Sequence, residues 1–354
     1  MIKFVIVMGL GAGLIFSSIT HHDQIKYFQT PTISINDSVD ITSSMINDSV
    51  YLIKESDTPL YYYTFLHTGV CFDNKCRPLS ILIYWNITGR YLGFELPEEE
   101  FLSKYDHEPF KKAEYALLDS LLANPFLPIN NYSFYDLVKA PSKDNGKIDG
   151  VSGATVQDVK DYLVPGAAYT TYKLWNLIYG STRDAVIKTT ENQLDASLFS
   201  KILHSPVSAD RIWAAERIDL LSNLNNPAID EIVEFVKVGE YSESYIALKT
   251  ITPEQLQSDY LQSKLFELIG EVDYSIENQI FDKLKEAGKL SDKVISLAIS
   301  ELDVFNDMQI VNLLKLLTYH NIFDQKLTKE IEKLADSRNS YVKGQISKYF
   351  KEAP

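Results

Sequence analysis

Between Asp149 and Thr155 the chain reads Asp-Gly-Val-Ser-Gly-Ala-Thr, a run of small and polar side chains ending in a hydroxyl. Two chemistries suit such a segment. In one, Thr155 is the N-cap of a following helix, and Asp158, three residues on, gives a near capping box. In the other, the Thr155 hydroxyl is an attachment point. Gly153 and Ala154 leave room for a phosphate to approach the backbone, and amides at the start of the following helix favour its negative charge.

Other candidate groups are sparse. The two cysteines, Cys71 and Cys76, flank Phe72-Asp73-Asn74-Lys75, a four-residue turn with Asp-Asn turn chemistry. They read as a structural disulfide stapling the end of a hairpin, or as a thiol pair exchanging electrons with a neighbouring cofactor. A metal site needs more ligands than His67 and its neighbours supply. His204 and His320 fall on helical segments and read as solvated or satisfied in place. No Ser-His-Asp order, phosphate-binding Walker loop, paired-carboxylate pattern or zinc spacing stands out. Tyr162, Tyr169, Tyr172 and Trp175 follow the 149–155 segment at helical spacing, which suits core packing; Tyr169 is kept as a candidate for stacking on a flat heterocycle.

The elements that must position these residues divide at about Asp184. Residues 1–20 run from one lysine through an uncharged apolar stretch, Phe4 to Ile19, to small polar residues. This is the order of a secretory signal, with an uncleaved N-terminal anchor as the alternative. Residues 21–59, rich in Ser, Thr, Asn and Asp, are expected to form a loosely packed lead-in. From Leu60 the chain is aromatic and β-branched, and a hairpin is predicted around Asn86-Ile87-Thr88-Gly89, giving a small antiparallel sheet. A helix is predicted over Lys111–Leu122, with Pro109 close ahead of it. Another, after the Pro165-Gly166 break, is predicted over Ala167–Ile178, ending at Gly180.

From 184 to 354 strand patterns vanish. Ile229, Ile232, Val233 and Val236 line one helical face, Leu261, Leu265, Leu268 and Ile269 a second, Val294, Leu297, Ala298 and Leu302 a third, and Ile310, Leu313, Leu314 and Leu317 a fourth. Breaks are expected at Pro227, Gly239, Pro253, Gly270 and Gly288. Stacked helix pairs of the HEAT-like type, of irregular period, or a plain helical bundle both account for this pattern. The fold class is therefore α+β followed by all-α. A formal charge of −14 argues against a nucleic-acid surface, which needs a clustered basic face that the sequence does not offer.

Asp149-Gly150-Val151-Ser152-Gly153-Ala154-Thr155 resembles the flavinylation signature D-x-x-[ST]-G-A-T of the FMN-binding domain family, whose members include flavin-carrying components of the sodium-pumping quinone reductase and of electron-transport complexes. The resemblance covers roughly Leu60 to Gly180. It implies a domain over 60–183 in which Thr155 carries FMN through a phosphoester, with Asp149, Gly150, Ser152, Gly153 and Ala154 forming the recognition segment for a flavin transferase. The threonine hydroxyl would attack the pyrophosphate of FAD, forming threonyl-FMN and releasing AMP. Such a hydroxyl is a weak nucleophile, so the transferase is expected to supply base and metal.

The chain departs from the family where a Glu-Thr-Pro-Gly segment is usual; Tyr105–Phe110 is the comparable loop, and its His107 reads as a helix cap or a flavin contact. Gln157 also stands where the family often has Thr or Ser. The resemblance implies an exported electron-transfer protein, periplasmic or membrane-associated on the extracytoplasmic side, acting between redox partner proteins, rather than a stand-alone enzyme. A helical-repeat scaffold with an unused motif and a flavin-dependent reductase of a small substrate are the rival readings.

Overall fold

A computed structural model of the chain describes residues 25–29, 41–47, 50–70, 77–104, 107–133, 157–221, 224–335 and 338–352. It is α+β: an N-terminal antiparallel sheet followed by a long succession of helices. The strands are β1 (Lys26–Phe28), β2 (Ile41–Asn47), β3 (Val50–Glu55), β4 (Thr58–Thr68), β5 (Leu79–Asn86) and β6 (Tyr91–Glu95). Their order across the sheet is β1-β6-β5-β4-β3-β2. β1 pairs antiparallel with β6, Lys26 opposite Glu95, and β2 pairs antiparallel with β3.

The turn predicted at 86–89 joins β5 to β6. Asn86 N donates to the Arg90 carbonyl at 2.8 Å, and Gly89 takes φ +78°, a left-handed conformation that glycine adopts without Cβ strain. The 21–59 segment differs from the loosely packed lead-in expected of it, since β1, β2 and β3 lie within it and Val50 and Leu52 are buried. Its polar composition hid this, because β1 and β2 are the edges of the sheet, where one side of a strand stays open to water and polar residues are tolerated.

The chain divides into two compact units, the first made of 1–36, 63–84 and 91–180, the second of 37–62, 85–90 and 181–354. The division falls within β4 and β5. In the first unit α1 (Lys112–Leu122) begins where Lys111 N donates to the Glu114 carboxylate at 2.7 Å. Tyr115, Leu118, Leu121 and Leu122 are buried along one side of it, and it packs on α2 (Ala168–Ile178).

The second unit carries α3 (Ser181–Asn192), α4 (Ala196–Leu203), α5 (Ser208–Ala215), α6 (Asn226–Val238) and α7 (Tyr241–Thr250). There follow α8 (Asp259–Glu267), α9 (Tyr274–Lys285), α10 (Asp292–Glu301), α11 (Asp307–Tyr319), α12 (Gln325–Ala335) and α13 (Ser340–Lys351). From α4 onward each helix packs on the helix two further along. This gives one row of α4, α6, α8, α10 and α12 and a second of α5, α7, α9, α11 and α13.

The period is regular, contrary to the irregular one expected. The second helices of the hairpins begin at Ser208, Tyr241, Tyr274, Asp307 and Ser340, a constant interval of 33 residues. Equivalent core positions follow it: Ala228, Leu261, Val294 and Leu327 are all buried. The predicted apolar faces are the buried ones, apart from Leu297, which is half-buried. Pro227 is not a break. It lies in the first turn of α6, where the missing amide proton has no helical partner to lose.

Candidate functional site

Asp149, Gly150, Ser152, Gly153, Ala154 and Thr155 lie outside the described residues, as do Cys71 and Cys76. What is described is the chain that leaves the motif. A 3-10 helix spans Gln157–Tyr162, and Val159, Leu163 and Val164 behind it are buried. Val164 N donates to the Thr171 hydroxyl at 3.2 Å, and that hydroxyl donates to the Ala167 carbonyl at 3.0 Å, tying the segment to the start of α2. Further along α2, Trp175 Nε1 donates to the Asn124 carbonyl at 2.9 Å, and the Tyr179 hydroxyl to the Leu122 carbonyl at 2.8 Å. Trp175 is therefore a core residue with its one polar atom satisfied, while Tyr169 is half-buried and Tyr162 exposed.

His107 does not cap α1. It sits four residues before the Lys111 cap, exposed, with φ +63°, and its amide donates to the Lys104 carbonyl. His67 shares a hydrogen bond with Ser80 Oγ at 3.1 Å. His204 and His320 are satisfied in place at helix C-termini by the Ser200 and Leu284 carbonyls. Among the described residues no group of His, Cys, Asp and Glu is arranged to hold a metal ion.

Two buried carboxylates organise polar interiors. In the first unit Asp119 accepts from the Tyr91 hydroxyl at 2.8 Å and from Gln29 Nε2. Burial pushes its pKa up, and these neutral donors only partly oppose the shift. In the second unit Asp210 accepts from Thr88 Oγ1 at 2.7 Å, Asn86 Nδ2 at 2.8 Å and Arg90 Nη2 at 2.8 Å. Burial would raise this carboxylate too, but Arg90, Thr88 and Asn86 together outweigh it and hold its pKa below the usual value.

The helical unit also contains a concave site that sequence reasoning did not find. A cavity of about 550 Å³ opens among the α4–α5 turn, α6 and the start of α7, lined by Leu203, His204, Arg211, Glu231, Phe235 and Glu243, among others. Arg211 Nη2 donates to Glu243 at 2.7 Å, and Ser208 Oγ donates to the same carboxylate. Burial of Glu243 is outweighed by these donors, which keep it ionised. Glu231 accepts from Ser200 Oγ at 2.9 Å, and the His204 ring stands 3.5 Å from it. Asp230, Glu234 and Glu240 complete a lining in which acids outnumber bases. A cation or a basic side chain suits such a lining; an anion does not. The one sequence signal that could have found it is the 33-residue interval, which aligns Glu243 with Asp210 as first-turn acids of successive second helices.

No family model matches this chain, and neither the curated proteins nor the solved structures include a match. Among the described residues, no helix is long and apolar enough to cross a membrane.

Proposed function

We propose that this chain is an extracytoplasmic electron-transfer flavoprotein that carries FMN covalently through a phosphoester to Thr155. The observation that carries this reading is the Asp149–Thr155 segment, seven residues that satisfy every fixed position of D-x-x-[ST]-G-A-T. Two further features support it. A β-rich region precedes the segment and a helical one follows, and the chain leaving the segment is anchored by buried Val159, Leu163 and Val164.

The donor set suits the group. Thr155 offers one hydroxyl for one phosphoester, and its neighbours are too small to crowd a phosphate. FMN, when bound, supplies the electron acceptance and release. The protein's part is to bind, orient and shield it. The reading places the domain outside the cytoplasm behind the 1–20 signal or anchor, with a flavin transferase and redox proteins as partners.

The helical part is read as a HEAT-like repeat array that serves as a docking module. In a plain bundle all helices share one core, whereas here each hairpin packs on its neighbours along two rows, as in a solenoid. The period of 33 is shorter than the ~40–47 residues usual for HEAT and armadillo repeats. The acidic cavity favours a second reading, in which this binding role is the main one and the flavin segment is unused.

The test is the intact mass and denatured in-gel flavin fluorescence of protein exported from a host with a flavin transferase. Wild type should gain the mass of FMN, and Thr155→Val should not. A wild-type chain left unmodified, beside a control substrate that is labelled, sinks the flavoprotein reading and leaves the binding one.

A further inference from the structure

The stack of hairpins α4–α13 has two edges, one formed by the turns within hairpins and the other by the turns between them. We propose that the first edge is a docking surface for a partner-protein segment in which basic side chains are spaced among apolar ones. This deepens the docking role given above to the helical array and is independent of Thr155.

The edge carries a row of large apolar side chains that are left in water. Val238 and Val304 are 68% and 77% exposed and stand at the same repeat position, two periods apart. Tyr241 and Tyr274 are equivalent to each other, as are Met308 and Tyr341, and all four are exposed at the first turns of second helices. These side chains contribute little to the core, because the repeats bury a separate set of positions on the inner faces of their helices. Scattered exposed apolar residues need no explanation, but a row gathered at the same turns of successive hairpins along one edge does.

Polar bonds between successive turns make the row continuous. Lys237 pairs with Glu271 at 3.3 Å, Gln309 donates to Glu277 at 2.9 Å, and Arg338 and Asn339 both reach Asp307.

Charge selects the occupant. The same turns carry Glu240, Glu271, Asp273, Glu301, Asp303 and Asp307, while their Lys237 and Arg338 are already paired with acids of the row. The acidic cavity at the α4–α7 end opens on this edge through Val238, Gly239 and Glu240. An anionic lipid surface would meet like charge there. A second copy of the edge would too, in a chain whose formal charge is −14. A segment presenting Lys or Arg between Leu-like side chains satisfies both the acids and the apolar row.

The experiment uses the full chain and a short fluorescein-labelled peptide of alternating Lys and Leu, read by fluorescence anisotropy at physiological ionic strength. A Glu-for-Lys peptide is the control. Wild type should bind the Lys-Leu peptide and not the Glu-Leu one. Tyr241→Ser/Tyr274→Ser/Val304→Ser, with helical content checked by circular dichroism, should weaken binding at least about tenfold, the scale on which lost interface anchors register. Glu254→Gln/Asp259→Asn/Asp292→Asn, at the opposite edge, should change it less than about twofold.

Equal weakening by the two variants would mean diffuse attraction to an acidic protein and would overturn the proposal. So would binding indifferent to the edge variant. Self-association of the peptide-free chain, or its flotation with anionic phospholipid vesicles, abolished by the edge variant would assign the surface to a second copy or to a membrane and overturn it as well. None of these readouts involves flavin, so an unmodified Thr155 leaves the outcome untouched.

Discussion

Asp119 in the first unit and Asp210 in the second, helix-rich unit are both buried, at 7% and 3% exposure, yet their protonation equilibria move in opposite directions. The difference lies in the neighbours. Tyr91 and Gln29 offer Asp119 neutral donors, which stabilise its ionised form less than burial destabilises it. Arg90 gives Asp210 a full positive charge through two guanidinium bonds, Nε to Oδ1 at 3.0 Å and Nη2 to Oδ2 at 2.8 Å, and Thr88, Asn86 and Ser205 occupy the remaining lone pairs. The helical unit repeats this solution at Arg211–Glu243. For these two carboxylates burial alone therefore does not set the direction of the shift; the charge of their hydrogen-bond donors does.

The largest expected effect comes from deleting the charged version. Asp210→Ala leaves Arg90, Thr88 and Asn86 facing a buried void, and it should cost about 3–5 kcal/mol in urea unfolding. Asp119→Ala leaves only a tyrosine and an amide without an acceptor and should cost about 1–3 kcal/mol. Equal losses would break the contrast.

A cavity in the repeat core falls within the same range. Leu265 is fully buried on α8, at the position held by Ile232, Ala298 and Ile331 in other repeats. Leu265→Ala should cost about 2–5 kcal/mol. In an array that couples mainly nearest neighbours, hydrogen exchange should show the loss concentrated in α6 to α11 and weaker toward α13.

The pH dependence sharpens the comparison further. Asp119 has a raised folded pKa, so its contribution is fully present below the unfolded value of about 3.9 and is lost as pH rises through the folded pKa. Asp210 has a lowered one. Its contribution is present above about 3.9 and is lost as pH falls through the folded pKa. Urea midpoints taken from acid to neutral pH should show wild type losing ground to Asp119→Asn as pH rises from about 4, and Asp210→Asn converging on wild type as pH falls below about 4. Parallel profiles would show that the two carboxylates do not differ as described.

How much of this was legible depended on whether the signal was local. The hairpin at 86–90, the α1 and α2 helices and the apolar faces from Ile229 to Leu317 all announce themselves within a dozen residues, by period and by Gly or Pro punctuation. The edge strands β1 and β2 did not, because a strand open to water on one side needs no apolar run. Nor did the 33-residue period, since repeats share an interval and a burial pattern but exchange Ala228 for Leu261, Val294 or Leu327, and the first caps stand only 30 residues apart, at Asp195 and Asn225. The Asp210 cage is invisible locally, because Asn86, Thr88 and Arg90 lie more than a hundred residues upstream and only Ser205 is a sequence neighbour. With the flavin segment the reverse holds: Asp149–Thr155 is legible in the sequence and lies outside the described residues.

The smallest expected effect tests the repeat itself. Asn225, Ser258, Ser291 and Asp324 each accept from the amide three residues on, capping α6, α8, α10 and α12 at intervals of 33 residues. Replacing any one with Ala should cost about 1 kcal/mol. The pairs differ in coupling. Asn225 and Asp324 are three repeats apart and should lose stability additively. Ser258 and Ser291 are joined through Gln262, which rides on the helix that Ser258 caps, accepts from Ser291 N at 2.8 Å and donates to the Leu256 and Lys289 carbonyls. Fraying α8 loosens the residue that holds the start of α10, so the second deletion removes an interaction already weakened by the first. Ser258→Ala/Ser291→Ala should therefore cost less than the sum of its single changes in a double-mutant cycle, by about 0.5 kcal/mol or more. Additivity there as well would mean that the caps act one hairpin at a time and that the array is coupled through its apolar layers alone.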